Sequence, residues 1–256
     1  MIKYIVVQDE WDDDDDIELL DYIKSLNKTL KIESKHNILK MDVNTIEMLF
    51  CNTSVMQKYI MKHNSNYKVI STYPECFNDL YHRNISIMKL KQFYRKYMME
   101  NKPYFVKPVI NNKRFTGFVI NNDNDNYSIY RLACYDTGND MESSMDIYVC
   151  DPVNFVNEYR LFIGNNKIYG ITESSKYLLD SIKIKSVMPE ESFIKEILGR
   201  LEKYEPNIFC VIDIGMLDNG QWVIVEANPP FSLNNYDFPI DKYYEYCKLA
   251  YDSIII

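Results

Sequence analysis

The chain has 256 residues, of which 46% are hydrophobic and 26% charged, with a formal net charge of −8. That is enough chain for one large domain or several small lobes around real cores. The acidic balance argues against a general nucleic-acid binder, which carries a basic face, although it leaves room for a local basic groove. No stretch approaches the roughly 20 apolar residues a membrane span needs, and Met1–Val7 is too short for a signal peptide. A cytoplasmic protein with no membrane partner is therefore expected. The six cysteines form no CxxC or CxH pair, so neither a zinc site nor a disulfide framework is expected.

Along the first hundred residues short strands alternate with helical patterns. Lys3–Val7 reads as a strand, the acidic run Asp12–Asp16 as a solvated loop, and Ile17–Leu26 as a helix. A second strand falls within Ile32–Met41 and a third at Ile46–Cys51. Asn52-Thr53-Ser54 offers a cap for a helix over Val55–Lys62. Lys68–Ser71 reads as a fourth strand, Pro74 opens a short helix, and Ser86–Met99 reads as a longer one. Strands alternating with helices imply a small parallel α/β lobe.

After Pro103 the pattern turns to strands and hairpins. Tyr104–Val109 and Phe115–Asn121 flank the polar loop Asn111-Asn112-Lys113-Arg114, with Tyr127–Leu132 and Ile147–Asp151 continuing the series. Glu158–Ile163 and Lys167–Thr172 read as a hairpin. Pro189–Tyr204 is an amphipathic helix presenting Phe193, Ile194, Ile197, Leu198 and Leu201 on one face. The hairpin Phe209–Asn228 precedes a last helix over about Asp241–Tyr251.

The chemistry concentrates in that last hairpin. Asn219-Gly220 is the strongest signal for a two-residue turn, and counting outward from it sets Asp213 opposite Glu226, with Cβ atoms roughly 5 Å apart. Asn228, two residues on, projects from the same face. Opposed carboxylates in apolar strands repel, and their burial costs several kcal/mol unless a cation intervenes. Magnesium, which takes one or two carboxylates beside waters and phosphate oxygens, fits this donor set best. An exposed sheet face with two ordinary acids is the other reading.

Two further features stand out. Lys107 is a cation inside the apolar strand Tyr104–Val109, and the following loop carries Lys113, Arg114, Thr116 and Gly117. Small and basic residues between two strands can cradle a phosphate, and a lysine snorkelling to solvent would look the same. Glu158 and Arg160 share one strand face, either as a structural ion pair or as part of a site.

In order and spacing these segments resemble an ATP-grasp catalytic unit over about Tyr104–Cys247. Val106-Lys107-Pro108 with Lys113–Gly117 looks like the strand lysine and phosphate loop of that superfamily. The loop holds a single glycine, Gly117, where many relatives have several. Asn157-Glu158-Tyr159-Arg160 resembles the arginine-bearing hairpin of the ribosomal-protein glutamate ligases. It is similar also to an uncharacterised bacterial and viral ATP-grasp clade with the same Glu-x-Arg. Asp213 with Glu226-x-Asn228 matches the superfamily's magnesium triad.

The resemblance implies an α/β ATP-grasp fold with an N-terminal pre-ATP-grasp lobe at 1–102, a small lobe at 103–150 and a large metal-bearing lobe at 151–256. It implies ATP and Mg2+ as cofactors, with Asp213, Glu226 and Asn228 on the metal. Lys107, Lys113, Thr116, Gly117 and Glu158 would lie at the nucleotide, and Lys89 or Lys91 would supply the lysine that precedes the small lobe. Cys150 and Asp151 fall at the adenine hinge, where Asp151 replaces the usual ribose-binding glutamate. Arg160 would act on the phosphates and Lys176 would neutralise the acceptor carboxylate. The implied reaction joins a carboxylate to an amine through an acylphosphate, on a peptide, protein or small metabolite. A kinase, adenylyltransferase or nucleic-acid end-modifying enzyme on the same scaffold, or a non-catalytic ATP-binding module, remain alternatives.

Overall fold

The computed structural model describes residues 2–9, 14–100, 102–109, 116–121, 145–174 and 186–255, with side chains in the first helix described from residue 17 on. The chain divides into two compact units, Met1–Leu80 with Phe155–Ile256, and Tyr81–Asn154, where three lobes were expected from sequence.

In the first unit β1 (Tyr4–Gln8), β2 (Leu30–Glu33) and β3 (Ile46–Phe50) form a parallel sheet in the order β2-β1-β3. The crossover helix α1 (Asp14–Ser25) begins inside the acidic run rather than after it. A single helical turn, α2 (Lys35–Ile38), follows β2, and α3 (Thr53–His63) follows β3. Asn52 stands at the N-cap of α3, but its side chain makes no capping bond. Lys68–Ser71 forms no strand; Ile70 is buried without a ladder.

A second, antiparallel sheet in the order β11-β10-β8-β9 is built from β8 (Asn157–Gly164), β9 (Lys167–Glu173), β10 (Phe209–Met216) and β11 (Trp222–Asn228). Helix α5 (Glu191–Tyr204) is tied down by Arg200, which donates to Asp79 Oδ2 at 2.7 Å and to the Cys76 carbonyl at 2.9 Å.

The last helix, α6 (Ile240–Ile255), joins the two sheets. Its Tyr243, Tyr246, Cys247 and Ala250 share one core with Ile5 and Val7 of β1, Met48 and Phe50 of β3, Phe162 of β8 and Val211 of β10. Tyr246 is fully buried, yet its hydroxyl donates to the carbonyls of Cys210 (2.9 Å) and Ile163 (3.2 Å), so no polar atom is orphaned there. Burial pushes this phenol's pKa well above its ordinary range.

The second unit holds an antiparallel sheet in the order β4-β7-β5-β6: β4 (Ile85–Lys89), β5 (Tyr104–Pro108), β6 (Phe118–Ile120) and β7 (Asp146–Cys150), with α4 (Leu90–Glu100) over a core that includes Phe93, Tyr97, Val106 and Ile147. The single helix expected over Ser86–Met99 is thus a strand followed by a helix, because residues 85–89 pair with β7. The strand expected at Tyr127–Leu132 lies outside the described residues. Among the described residues, no helix is long and apolar enough to cross a membrane.

Candidate functional site

Alternation along β8 and β10 sorts the side chains. Tyr159, Leu161 and Ile163 point to one face with Cys210, Ile212 and Ile214, while Glu158, Arg160 and Phe162 share the other with Val211, Asp213 and Gly215. On that second face Asp213 pairs in register with Arg160 on one side and Glu226 on the other, and Thr172 of β9 lies opposite Arg160. One row across four strands therefore reads Glu226, Asp213, Arg160, Thr172. The Thr172 hydroxyl is buried and has no hydrogen-bond partner among the described residues.

The hairpin reaches this register by two compensating departures from the expected turn. Leu217 N–H donates to the Gln221 carbonyl at 2.9 Å, so the loop holds three residues rather than two, with Gly220 at φ +85. The ladder then runs one residue out of the expected register until it shifts between Asp213 and Ile214, where Val225 is the extra residue of a bulge. Beyond the bulge Asp213 meets Glu226, as counted from the sequence.

The two carboxylates do not face each other unshielded. Arg160 donates from Nε to Asp213 Oδ1 at 2.8 Å and from Nη2 to Oδ2 at 2.9 Å, a two-point pair in which both residues are buried. Burial alone would lower the guanidinium's pKa, but the Asp213 charge and hydrogen bonds outweigh it and push the pKa above its ordinary value. The repulsion expected between Asp213 and Glu226 is thus relieved inside the protein. Asn228 Nδ2 completes the link, donating to Asp213 Oδ2 and Glu226 Oε1 at 3.1 Å each.

An amide nitrogen held between two carboxylates marks the point where their oxygens converge. Turning the amide over would present Oδ1 there instead, giving three oxygen donors, a set suited to a hard divalent cation. Among the described residues no group of three or more His, Cys, Asp or Glu forms a metal cluster.

The segment after Asn228 closes over Arg160, and sequence reasoning did not single it out. The Asn234 carbonyl accepts from Arg160 Nη1 at 3.0 Å, and the Tyr236 ring lies 4.5 Å from the guanidinium carbon. Ser232, Tyr236 and Asp237 all hold left-handed φ angles, a cost that persists only where packing dictates the path. Here Phe231 and Phe238 are buried in the cores, Ser232 Oγ donates to the Cys51 carbonyl, and Tyr243 OH donates to the Leu233 carbonyl. An aromatic residue in a proline-flanked loop directly after Asn228 was the available signal.

Within the second unit, Lys107 is half-buried and shares a sheet face with Phe105. The β5–β6 register, continued by one residue, brings Gly117 opposite it. A Cβ at Gly117 would lie 2.5 Å from the Phe105 ring, so glycine is what lets this strand end approach the lysine's face. Thr116 is exposed. Cys150 is buried at the end of β7. Asp151 accepts from Asn84 Nδ2 at 2.7 Å and sits 3.7 Å from Lys102 Nζ, so its carboxylate already has partners. Lys89 pairs with Asp146 at 2.8 Å, and Lys91 is half-buried. Lys113 and Lys176 lie outside the described residues. Glu158 lies on the face of Arg160, opposite Gly215, where a Cβ would collide with the Phe155 ring at 2.5 Å.

No curated protein matches the sequence. Among solved structures the chain is similar to the D-cycloserine synthetase DcsG (TM-score 0.60, 10% identity, 97% of this chain and 99% of that one). It is similar also to a RimK domain ATP-grasp protein from Sphaerobacter thermophilus (0.53, 9%, 99% and 97%). A third is the macrocyclase MdnC from Microcystis aeruginosa, bound with precursor peptide MdnA (0.51, 7%, 98% and 99%). At such identities the likeness establishes the fold. A family model for an ATP-grasp domain, the second family of its clade, matches residues 80–246, more than half of the sequence. The chain therefore belongs to the ATP-grasp domain family, within that clade, a family of ATP-dependent enzymes.

Proposed function

We propose that the chain is a carboxylate–amine ligase that transfers the γ-phosphoryl group of ATP to a carboxylate, releasing ADP, after which an amine attacks the acylphosphate carbon and displaces phosphate. The observation that carries this reading is the convergence of Asp213, Glu226 and Asn228 on one point of the sheet face in an ATP-grasp chain. These three would hold magnesium, which supplies charge neutralisation for the transferring phosphoryl group. Arg160 orients Asp213 through its two-point contact and keeps a positive charge beside the triad. Lys107, Lys113, Thr116 and Gly117 would bind phosphates, Cys150, Asp151 and Glu158 would contact the rest of the nucleotide, and Lys176 would face the acceptor carboxylate. DcsG and the peptide-bound MdnC are similar in fold, so both small metabolites and peptides are candidate substrates.

The test is a magnesium-dependent ADP-release screen over amino acids, small carboxylates and peptides paired with amines. ADP, phosphate and a new amide are expected; AMP or a phosphorylated product would overturn the reading. In a parallel binding measurement Lys107→Ala should weaken ATP binding by about 1.5–3 kcal/mol, the loss of one charge-assisted contact. Unchanged calorimetric affinity with the fold intact would return Lys107 to a structural role.

A further inference from the structure

Asp213 is called upon to serve two positive charges. Its carboxylate offers about four lone-pair positions. Arg160 takes one on each oxygen, at 2.8 and 2.9 Å, and Asn228 takes a third at 3.1 Å. A divalent cation at Asp213 and Glu226 must share that carboxylate with a guanidinium a hydrogen bond away. In a buried, poorly screened site the two cations repel. The arginine is not placed to withdraw. It is 7% exposed, its Nη1 is tied to the Asn234 carbonyl, and the Tyr236 ring covers it.

We infer that Arg160 sets the metal affinity of this site. As the built-in counter-ion of Asp213 it disfavours a bare divalent cation and favours one that arrives with a polyphosphate. The inference rests on the metal-site reading above and adds to it a coupling between metal and nucleotide. A polyphosphate brings negative charge that offsets both cations, so metal and nucleotide raise each other's affinity by the same factor. The preferred ligand is then the metal–nucleotide complex.

The test is Mn2+ binding followed by electron paramagnetic resonance, without nucleotide and then with ADP, allowing for Mn–ADP formed in solution. Arg160→Gln should bind bare Mn2+ at least about tenfold more tightly than the native chain, a difference readily resolved in such titrations. ADP should then raise the native protein's Mn2+ affinity by a larger factor than it raises the variant's. Equal or weaker binding by Arg160→Gln overturns the inference. If melting curves show that this variant does not fold, Arg160→Met decides. It removes the charge while keeping an unbranched apolar stem, and should also tighten bare Mn2+ by about tenfold; no gain overturns the inference. Asp213→Asn and Glu226→Gln separate the two readings. If either leaves Mn2+ binding intact, the metal site itself is misassigned. If both abolish it while the Arg160 variants bind no tighter, only the role of Arg160 fails.

Discussion

Asp213 and Glu226 are in-register neighbours, yet substitution should treat them differently. Asp213→Asn leaves the Arg160 guanidinium buried without its counter-charge, and breaking a buried pair in this way costs about 3–5 kcal/mol. Glu226 is only half-buried, and Glu226→Gln keeps an oxygen to accept from Asn228, so its stability should change by about 1 kcal/mol or less. Urea unfolding of both variants checks this, and equal losses would mean that Arg160 leans on Glu226 as much as on Asp213. The facing of the two acids was legible in the sequence, because alternation along a strand is local. The counter-ion was not. Arg160 meets Asp213 only after the long connection from β9 to β10 has returned the chain to β8, a tertiary pairing that no local pattern encodes. The same holds for Asn234 and Tyr236, whose importance lies in what they cover.

Turns and registers show how a correct conclusion can rest on compensating elements. The Asn219-Gly220 signal located the hairpin, but the loop is one residue longer than the signal implied, and the bulge at Val225 restores the register. At Gly220 no atom lies near a would-be Cβ, so only backbone strain opposes a side chain at φ +85. Gly220→Ala should therefore cost about 1 kcal/mol, and Gly220→Asn less. Gly164 makes the contrast, since a Cβ there would sit 2.2 Å from the Phe209 ring. Gly164→Ala should cost about 1–3 kcal/mol through overpacking. Thermal melts should rank Gly164→Ala below Gly220→Ala, and the reverse order would place the strain in the turn. Other elements were misread for one shared reason. Ile85–Lys89 became a strand because β7 offers it an edge, whereas Lys68–Ser71, equally apolar at its centre, pairs with no strand among the described residues.

Across the whole molecule, helix α6 is the shared wall of two cores. Tyr243, Tyr246, Cys247 and Ala250 belong to the core with β1, β3, β8 and β10, while Tyr251 and Ile254 belong to the neighbouring core with Val6, Leu49 and Tyr59. Native-state hydrogen exchange should therefore find β1, β3, β8 and β10 opening together at the global free energy. A cheaper separate opening of β1 and β3 would show that the parallel sheet stands without α6. The chain order of this shared core has a consequence for synthesis. Ile5, Val7, Met48 and Phe50 are synthesised before the whole 81–154 unit, and the helix that covers them only after it. At roughly 5–20 residues per second the delay is on the order of ten seconds or more. Through that interval the nascent N-terminal strands carry uncovered apolar side chains. Successful production then depends on whatever shields them until α6 has been made.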